Sequence, residues 1–207
     1  MNNDVLDRLL EGNHRFTNGL ISVDSMMSVR KIHDLAENGQ KPSAIILTCS
    51  DSRAPAEIVF DQGVGELFVV RVAGNVVAPS LIASMEFAVS NFGSPLIMVL
   101  GHTLCSAIRM TMHFENNPTE IPASKNLSDL VDRVRPSIKK IKDITAADAV
   151  LRATENNIQI SIDTILQESS IIKNLVIAEK LQIVGAILDI HTGRVTVLNS
   201  TYTFTEL

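Results

Sequence analysis

Hydrophobic positions along the chain change their spacing twice. Residues 4–16 place Val5, Leu6, Leu9, Leu10 and Phe16 at helical intervals, which predicts an amphipathic helix. A second helix is predicted over 25–37, stopped by the Asn38-Gly39 pair. From residue 43 the apolar residues run together instead. "SAIILTC" (43–49), "LFVVRVA" (67–73), "PLIMVLG" (95–101) and "LQIVGAILDI" (181–190) are short runs rich in Val, Ile and Leu. Such runs predict strands buried on both faces. Helical patterns separate them at 81–92, at 106–114 and over a long stretch of about 127–178. "HTGRVTVL" (191–198) predicts a turn at Thr192-Gly193 and a last strand, paired as a hairpin with the strand before it. The most loop-like internal segment is "NNPTEIPASKN" (116–126). Strands alternating with helices give an α/β fold: a mainly parallel β-sheet flanked by helices, an N-terminal helical arm, and an antiparallel edge strand near the C-terminus.

Composition narrows the function. The 207 residues suit one domain, and 45% hydrophobic content supplies its core. A net charge of -5 disfavours a broad basic surface for nucleic acid, and with no Trp and one Tyr, Tyr202, a stacking platform for bases is hard to build. The start "MNNDVLDRLLEGN" carries no secretory pattern, and runs such as "PLIMVL" are too short to span a bilayer. The expectation is a cytoplasmic protein with no membrane and no nucleic-acid partner. In that setting the two cysteines read as ligands or reactive thiols rather than a structural disulfide.

The chemistry gathers where predicted strands end. "LTCSDSRAP" (47–55) offers Cys49, Asp51 and Arg53 at alternate positions; "VLGHTLC" (99–105) offers His102 and Cys105. Ligands bind at the carboxyl ends of strands in open parallel sheets. If the two strands are neighbours, two thiols and an imidazole converge, a donor set suited to zinc with one position left open. His102 and Cys105, three apart, face one way if they share the first turn of a helix. Each residue also has a plainer reading. Cys49 alone is a small buried hydrophobe, His102 a capping or loop residue, and Asp51 with Arg53 a loop ion pair.

"CSDSR" (49–53) with "HTLC" (102–105) resembles the β-class carbonic anhydrases. So do "LLEGNHRFTNG" (9–19), "GQKP" (39–42), "SDSRAPAEIVFDQGVGELFVVRVAGN" (50–75), "SMEFAV" (84–89) and "IVGAILDIHTGRV" (183–195), in the same order and over nearly the whole chain. The resemblance implies one Zn2+ per chain held by Cys49, His102 and Cys105, with Asp51 and Arg53 as a catalytic dyad beside it. It implies reversible hydration of carbon dioxide to bicarbonate and a proton, by a zinc hydroxide that the dyad orients. Gln40, Gly74, Ser106, Phe68 and Phe87 match substrate-pocket positions, Gln40 reaching the pocket of a partner subunit. A single domain over 1–207 is implied, its arm of residues 1–40 packing on that partner in a homodimer or homotetramer.

The physical chemistry suits these roles. Two thiolates offset the charge of zinc, so its bound water is acidified less than by three neutral histidines. A carboxylate accepting a hydrogen bond is then useful, and an arginine keeps that carboxylate anionic. In a closed form of the family Asp51 itself takes the fourth zinc position. Two departures stand out: Ser106 replaces a usual glycine and Phe87 a frequent tyrosine. Both bear on activity level, substrate range and inhibitor response. The same scaffold acting on carbonyl sulfide or carbon disulfide, or a low-turnover zinc-binding regulatory homologue, are the alternatives. His14, His33, His113 and His191 have no motif context and are expected at the surface or as caps, and Asp129 and Asp132 on solvated helix faces.

Overall fold

The computed structural model describes residues 4–21 and 28–198. In chain order it contains α1 (Asp4–Thr17), α2 (Val29–Asn38), β1 (Ala44–Thr48), α3 (Ala56–Val59), β2 (Leu67–Arg71) and a 3-10 turn (Ala73–Asn75). There follow α4 (Pro79–Phe92), β3 (Leu96–His102), α5 (Ser106–Asn116), α6 (Lys125–Lys139), α7 (Ala149–Glu168), α8 (Ser170–Ile177), β4 (Gln182–Leu188) and β5 (Val195–Val197). The strands form one sheet in the order β2-β1-β3-β4-β5. β1 to β4 run parallel, and β5 pairs antiparallel with β4, as the hairpin pattern predicts.

The apolar runs follow from burial on both sheet faces. Ile45, Leu47, Ile97 and Val99 join one cluster with side chains of α4, α7 and α8. Their sequence neighbours Ala44, Ile46, Leu96, Met98 and Leu100 join another with Leu9 of α1 and Val59 of α3. Alternate residues thus serve opposite layers, and no position in β1 or β3 faces water. β2 departs from the expectation. As an edge strand it leaves Phe68 and Val69 half-buried and Arg71 exposed.

The chain leaves β1 toward β2 on one side and leaves β3 toward β4 on the other. The carboxyl ends of β1 and β3 therefore flank the point where the sheet's winding reverses, the place where open α/β sheets form a crevice. Gly101 sits near this end of β3. A Cβ there would lie 2.7 Å from Ile158 and 2.9 Å from Thr154, so its absence lets α7 lie close against the strand.

Helix boundaries have local causes. α4 starts at Pro79, two residues before its predicted start, because proline suits a first turn. The stretch predicted over 127–178 is three helices. Ser124 caps α6, and the buried Ser169 caps α8 by accepting from the Ile172 amide. α2 begins after its cap Ser28 and ends at Gly39; the 25–27 part of the predicted helix lies outside the described residues. Of the arm, α1 seats on its own sheet. Asn13 donates to the carbonyls of Val59 and Gly193 and accepts from the Val195 amide. α2 buries no residue fully and exposes Val29 and Ile32. No described helix is long and apolar enough to cross a membrane.

Gly12 is the tightest point of the α1 seat, since a Cβ would fall 1.8 Å from the Phe60 carbonyl oxygen. Gly12→Ala is expected to cost roughly 1–3 kcal/mol of stability, the usual range for overpacking. Urea denaturation measures it; an unchanged midpoint would place α1 elsewhere.

Candidate metal centre

Three donor groups meet at the crevice. β1 delivers Cys49 directly after Thr48, and β3 ends on His102. The strands pair in register up to Thr48 and Leu100, and the Thr48 hydroxyl donates to the Leu100 carbonyl at 3.0 Å. Cys105 is the N-cap of α5. His102 is therefore a strand residue and does not share a helical turn with Cys105. The two converge through a tight turn in which Leu104 adopts φ 58°, a left-handed conformation costly for a branched side chain. The sequence carries no glycine there to announce the turn.

The two sulfurs and the imidazole nitrogen lie within 4.8 Å of one another, on residues that are all buried. His102 Nδ1 lies 2.8 Å from the Thr103 carbonyl oxygen, which only a protonated Nδ1 can satisfy. That leaves the lone pair on Nε2, and Nε2 is buried with no hydrogen-bond partner. An orphaned imidazole nitrogen facing two thiols fits a tetrahedral cation with one open position, and the soft donors select zinc.

The surroundings favour anionic sulfur. Cys49 is drawn well below the usual thiol range: the Cys105 thiol hydrogen-bonds to it, burial opposes this, and His102 and the amides of Gly74 and Asp51 add to the lowering. Cys105 is pushed up, first by that shared proton and then by burial, while the Ile108 and Ala107 amides at the start of α5 work against the rise. A cation would take the place of the shared proton. Burial pushes His102 down, but the Cys49 thiolate and the Thr103 carbonyl outweigh it and raise it.

Asp51 and Arg53 stand beside these donors. Arg53 grips the Asp51 carboxylate twice, Nε to Oδ1 at 2.9 Å and Nη2 to Oδ2 at 2.8 Å, while the Arg53 amide also donates to Oδ1. The guanidinium bonds hold the carboxyl well below the usual carboxylate range. Asp51 Oδ2 lies 3.9 Å from His102 Nε2, too far to bond. Arg71 went unnoticed in the sequence because its partners are carbonyl groups. From the end of β2 it donates to the carbonyl oxygens of Cys49 at 3.1 Å and Asp51 at 2.7 Å. The loop holding a metal donor and a carboxylate is thus pinned to the neighbouring strand.

The other predicted positions divide. Gly74, at φ 68°, donates its amide to the Cys49 sulfur at 3.2 Å. Ser106 opens α5 directly after Cys105 and is exposed. Phe68 and Phe87 face each other at 6.4 Å between ring centroids, in a cluster with Phe92. Gln40 is exposed on the connection between α2 and β1. His14, His33, His113 and His191 are exposed, His113 paired with Glu120 at 2.9 Å. Asp129 pairs with Arg133 on a solvated face of α6, and Asp132 with Arg135.

The donor set makes a direct prediction. Wild-type chain dialysed against trace zinc is expected to retain one ion, and Cys49→Ala none. Elemental analysis decides, and a Cys49→Ala chain that keeps its zinc overturns the ligand assignment.

Known proteins resemble this chain over most of its length. The family described as Carbonic anhydrase matches residues 44–195. Carbonic anhydrase 2 of Mycobacterium tuberculosis is 38% identical over 189 residues, covering 90% of this chain and 87% of that protein. A carbonic anhydrase of Mycolicibacterium smegmatis is 41% identical over 130 residues, 63% of this chain and 61% of its own. Among solved structures, the β-carbonic anhydrase CafA of Aspergillus fumigatus superposes with a TM-score of 0.72 at 23% identity, covering 97% of this chain and 93% of its own. The matched segment runs from the start of β1 to the first residue of β5 and contains Cys49, His102 and Cys105, and this chain belongs to the β-carbonic anhydrase family.

Proposed function

We propose that this chain is a zinc-dependent carbonic anhydrase, a lyase that interconverts carbon dioxide and water with bicarbonate and a proton. The observation that carries the reading is the buried Cys49–His102–Cys105 donor set with a doubly gripped Asp51 carboxylate beside it. A structural metal needs no such carboxylate. Bound zinc would supply Lewis acidity, making a water acidic enough to provide hydroxide near neutral pH.

The chain's own residues do the rest. Asp51 accepts a hydrogen bond from the attacking water and turns its lone pair toward the carbon of the substrate. Arg53 keeps the carboxylate anionic and short of bonding distance from His102 Nε2; releasing it gives the closed form. Arg71 fixes the backbone from which Asp51 projects. Because Cys49, His102 and Cys105 are buried, the site sheds bulk water and strengthens each of these interactions. Ser106 keeps its backbone amide at the start of α5 and adds a hydroxyl next to Cys105, while the Gly74 amide holds the Cys49 sulfur. Phe68 and Phe87 sit in a separate aromatic cluster, Phe68 level with Ile45, away from this chain's own donors.

The working unit in this reading is a homodimer or homotetramer. Support comes from the apolar residues that α2 leaves exposed, and from Phe87, 52% exposed on α4. The single domain of 1–207 lends its arm to a partner through α2, and Gln40 enters the neighbouring pocket. A cytoplasmic setting fits two free thiols that must stay reduced.

Stopped-flow hydration of carbon dioxide across about pH 6.5 to 9, a span that brackets ordinary zinc-bound water, is expected to show turnover by the zinc-loaded protein. Asp51→Asn is expected to keep its zinc and lose about 10²-fold or more in kcat/KM, the usual scale for a proton-handling group. No rate above buffer at any pH, with one zinc per chain, refutes the proposal. Sedimentation of the same preparation is expected to give a dimer or larger; a monomer that turns over at full rate refutes the subunit reading.

A further inference from the structure

Gly74 and Asn75 are consecutive residues with positive φ, 68° and 43°. Such a turn has few intrinsic reasons to hold one geometry, and glycine has the fewest. Asn75 does not hold it with its own side chain, since its Nδ2 is buried without a partner. The restraint comes from α7, far away in sequence. Asn157 is 2% exposed and donates from Nδ2 to the Gly74 carbonyl at 2.8 Å. Ser161, one turn further along the same helix face, is 3% exposed and donates to the Asn75 carbonyl at 3.1 Å. Both carbonyls that follow the Gly74 amide are therefore clamped, and that amide is the one aimed at the Cys49 sulfur.

We infer that Asn157 is a positioning residue for the metal centre: through the Gly74 carbonyl it keeps the Gly74 N–H on the sulfur of Cys49. Ser161 supports the same turn. The amide bond fixes the direction of the sulfur lone pairs and draws charge from the thiolate, two properties that set how a thiolate holds a metal. Gly74 cannot be replaced by a residue with its own stiffness. A Cβ there would sit 3.1 Å from the Ala107 Cβ, at a φ that disfavours side chains. The clamp from α7 supplies the rigidity that the turn lacks.

The inference rests on Cys49, His102 and Cys105 being metal ligands, so the zinc stoichiometry of the parent chain is measured first. A parent without zinc refutes that assignment and this inference with it. The clamp is then tested by competition against a chromophoric zinc chelator, and by the thiolate-to-cobalt charge-transfer absorption of the Co(II)-substituted protein. Asn157→Ala is expected to lose about tenfold in zinc affinity, as supporting residues of metal sites do, with a shifted charge-transfer band. Ser137→Ala is the matched control. Its hydroxyl is equally buried in a helix but bonds only to the Val134 carbonyl, so zinc affinity and spectrum are expected to stay unchanged. Should Asn157→Ala not fold, Ser161→Ala removes only a hydroxyl, and is expected to lose about threefold in affinity, the worth of one ordinary hydrogen bond. An Asn157→Ala chain with parental affinity and spectrum, whatever its melting temperature, overturns the inference; so does a Ser161→Ala chain with both parental when it stands alone.

Discussion

Two buried sulfurs and an imidazole nitrogen without a partner, all within 4.8 Å, set the terms for everything around them. Uncompensated, such a group of donors is costly inside a protein, because charge on sulfur is poorly solvated there and a lone pair is left unused. A cation turns the same arrangement into a favourable one. The fold then has to hold the donors together before the cation arrives. It does so by making β1 and β3 adjacent and parallel, so that residues 49 and 102 leave neighbouring strands at the same edge. The Thr48 hydroxyl on the Leu100 carbonyl locks the pair one residue short of the first sulfur. Cys105 needs a separate device, the strained turn at Leu104, which carries the chain from the end of β3 to the amides opening α5.

Around the donors, charged groups are restrained in layers. Asp51 is a short carboxylate beside the donors, its Oδ2 3.9 Å from His102 Nε2. Arg53 holds it with two bonds and is itself exposed, so its grip is open to solvent. Arg71 acts on a different level, on the backbone carbonyls of Cys49 and Asp51 rather than on a side chain. The Asp51 side chain and the loop backbone are thus held independently, by two different arginines.

Much of this was legible in sequence, for identifiable reasons. The runs at 43–49 and 95–101 stand out because every residue of β1 and β3 is buried, whichever face it serves. Cys49, Asp51, Arg53, His102 and Cys105 stand out because reactive side chains directly follow those runs. What escaped depends on partners distant in sequence or on backbone angles. Arg71 reads as one more residue of a strand, since its carbonyl partners leave no mark on composition. Asn157 and Ser161 look like ordinary polar residues of a helix, and only the fold shows them turned inward onto Gly74 and Asn75. The position of His102 at a strand end, rather than in a helical turn, is hidden because three-residue spacing fits both a helix and the left-handed turn at Leu104. The second break within 127–178, between α7 and α8, is missed because Ser169 is a buried cap with no glycine or proline to announce it.

The two N-terminal helices are held to their own chain very differently. α1 has a reason to stay with its own chain: Leu9 fills the sheet face, and Asn13 satisfies three backbone groups on α3 and the β4–β5 hairpin. Removing α1 would leave those groups unpaired and an apolar face open, which a second copy could cover only by matching the same bonds. Among the described residues α2 has no such anchor. Its ties are the Lys31–Glu66 ion pair, a half-exposed contact of small worth, and Leu35 against Gly65. An amphipathic helix held this weakly, with Val29 and Ile32 uncovered, gains most from a second surface. The chain thus secures its arm at one end and leaves the other free to contribute, and the segment that leads from α2 into β1, Gln40 included, ends one strand length from Cys49.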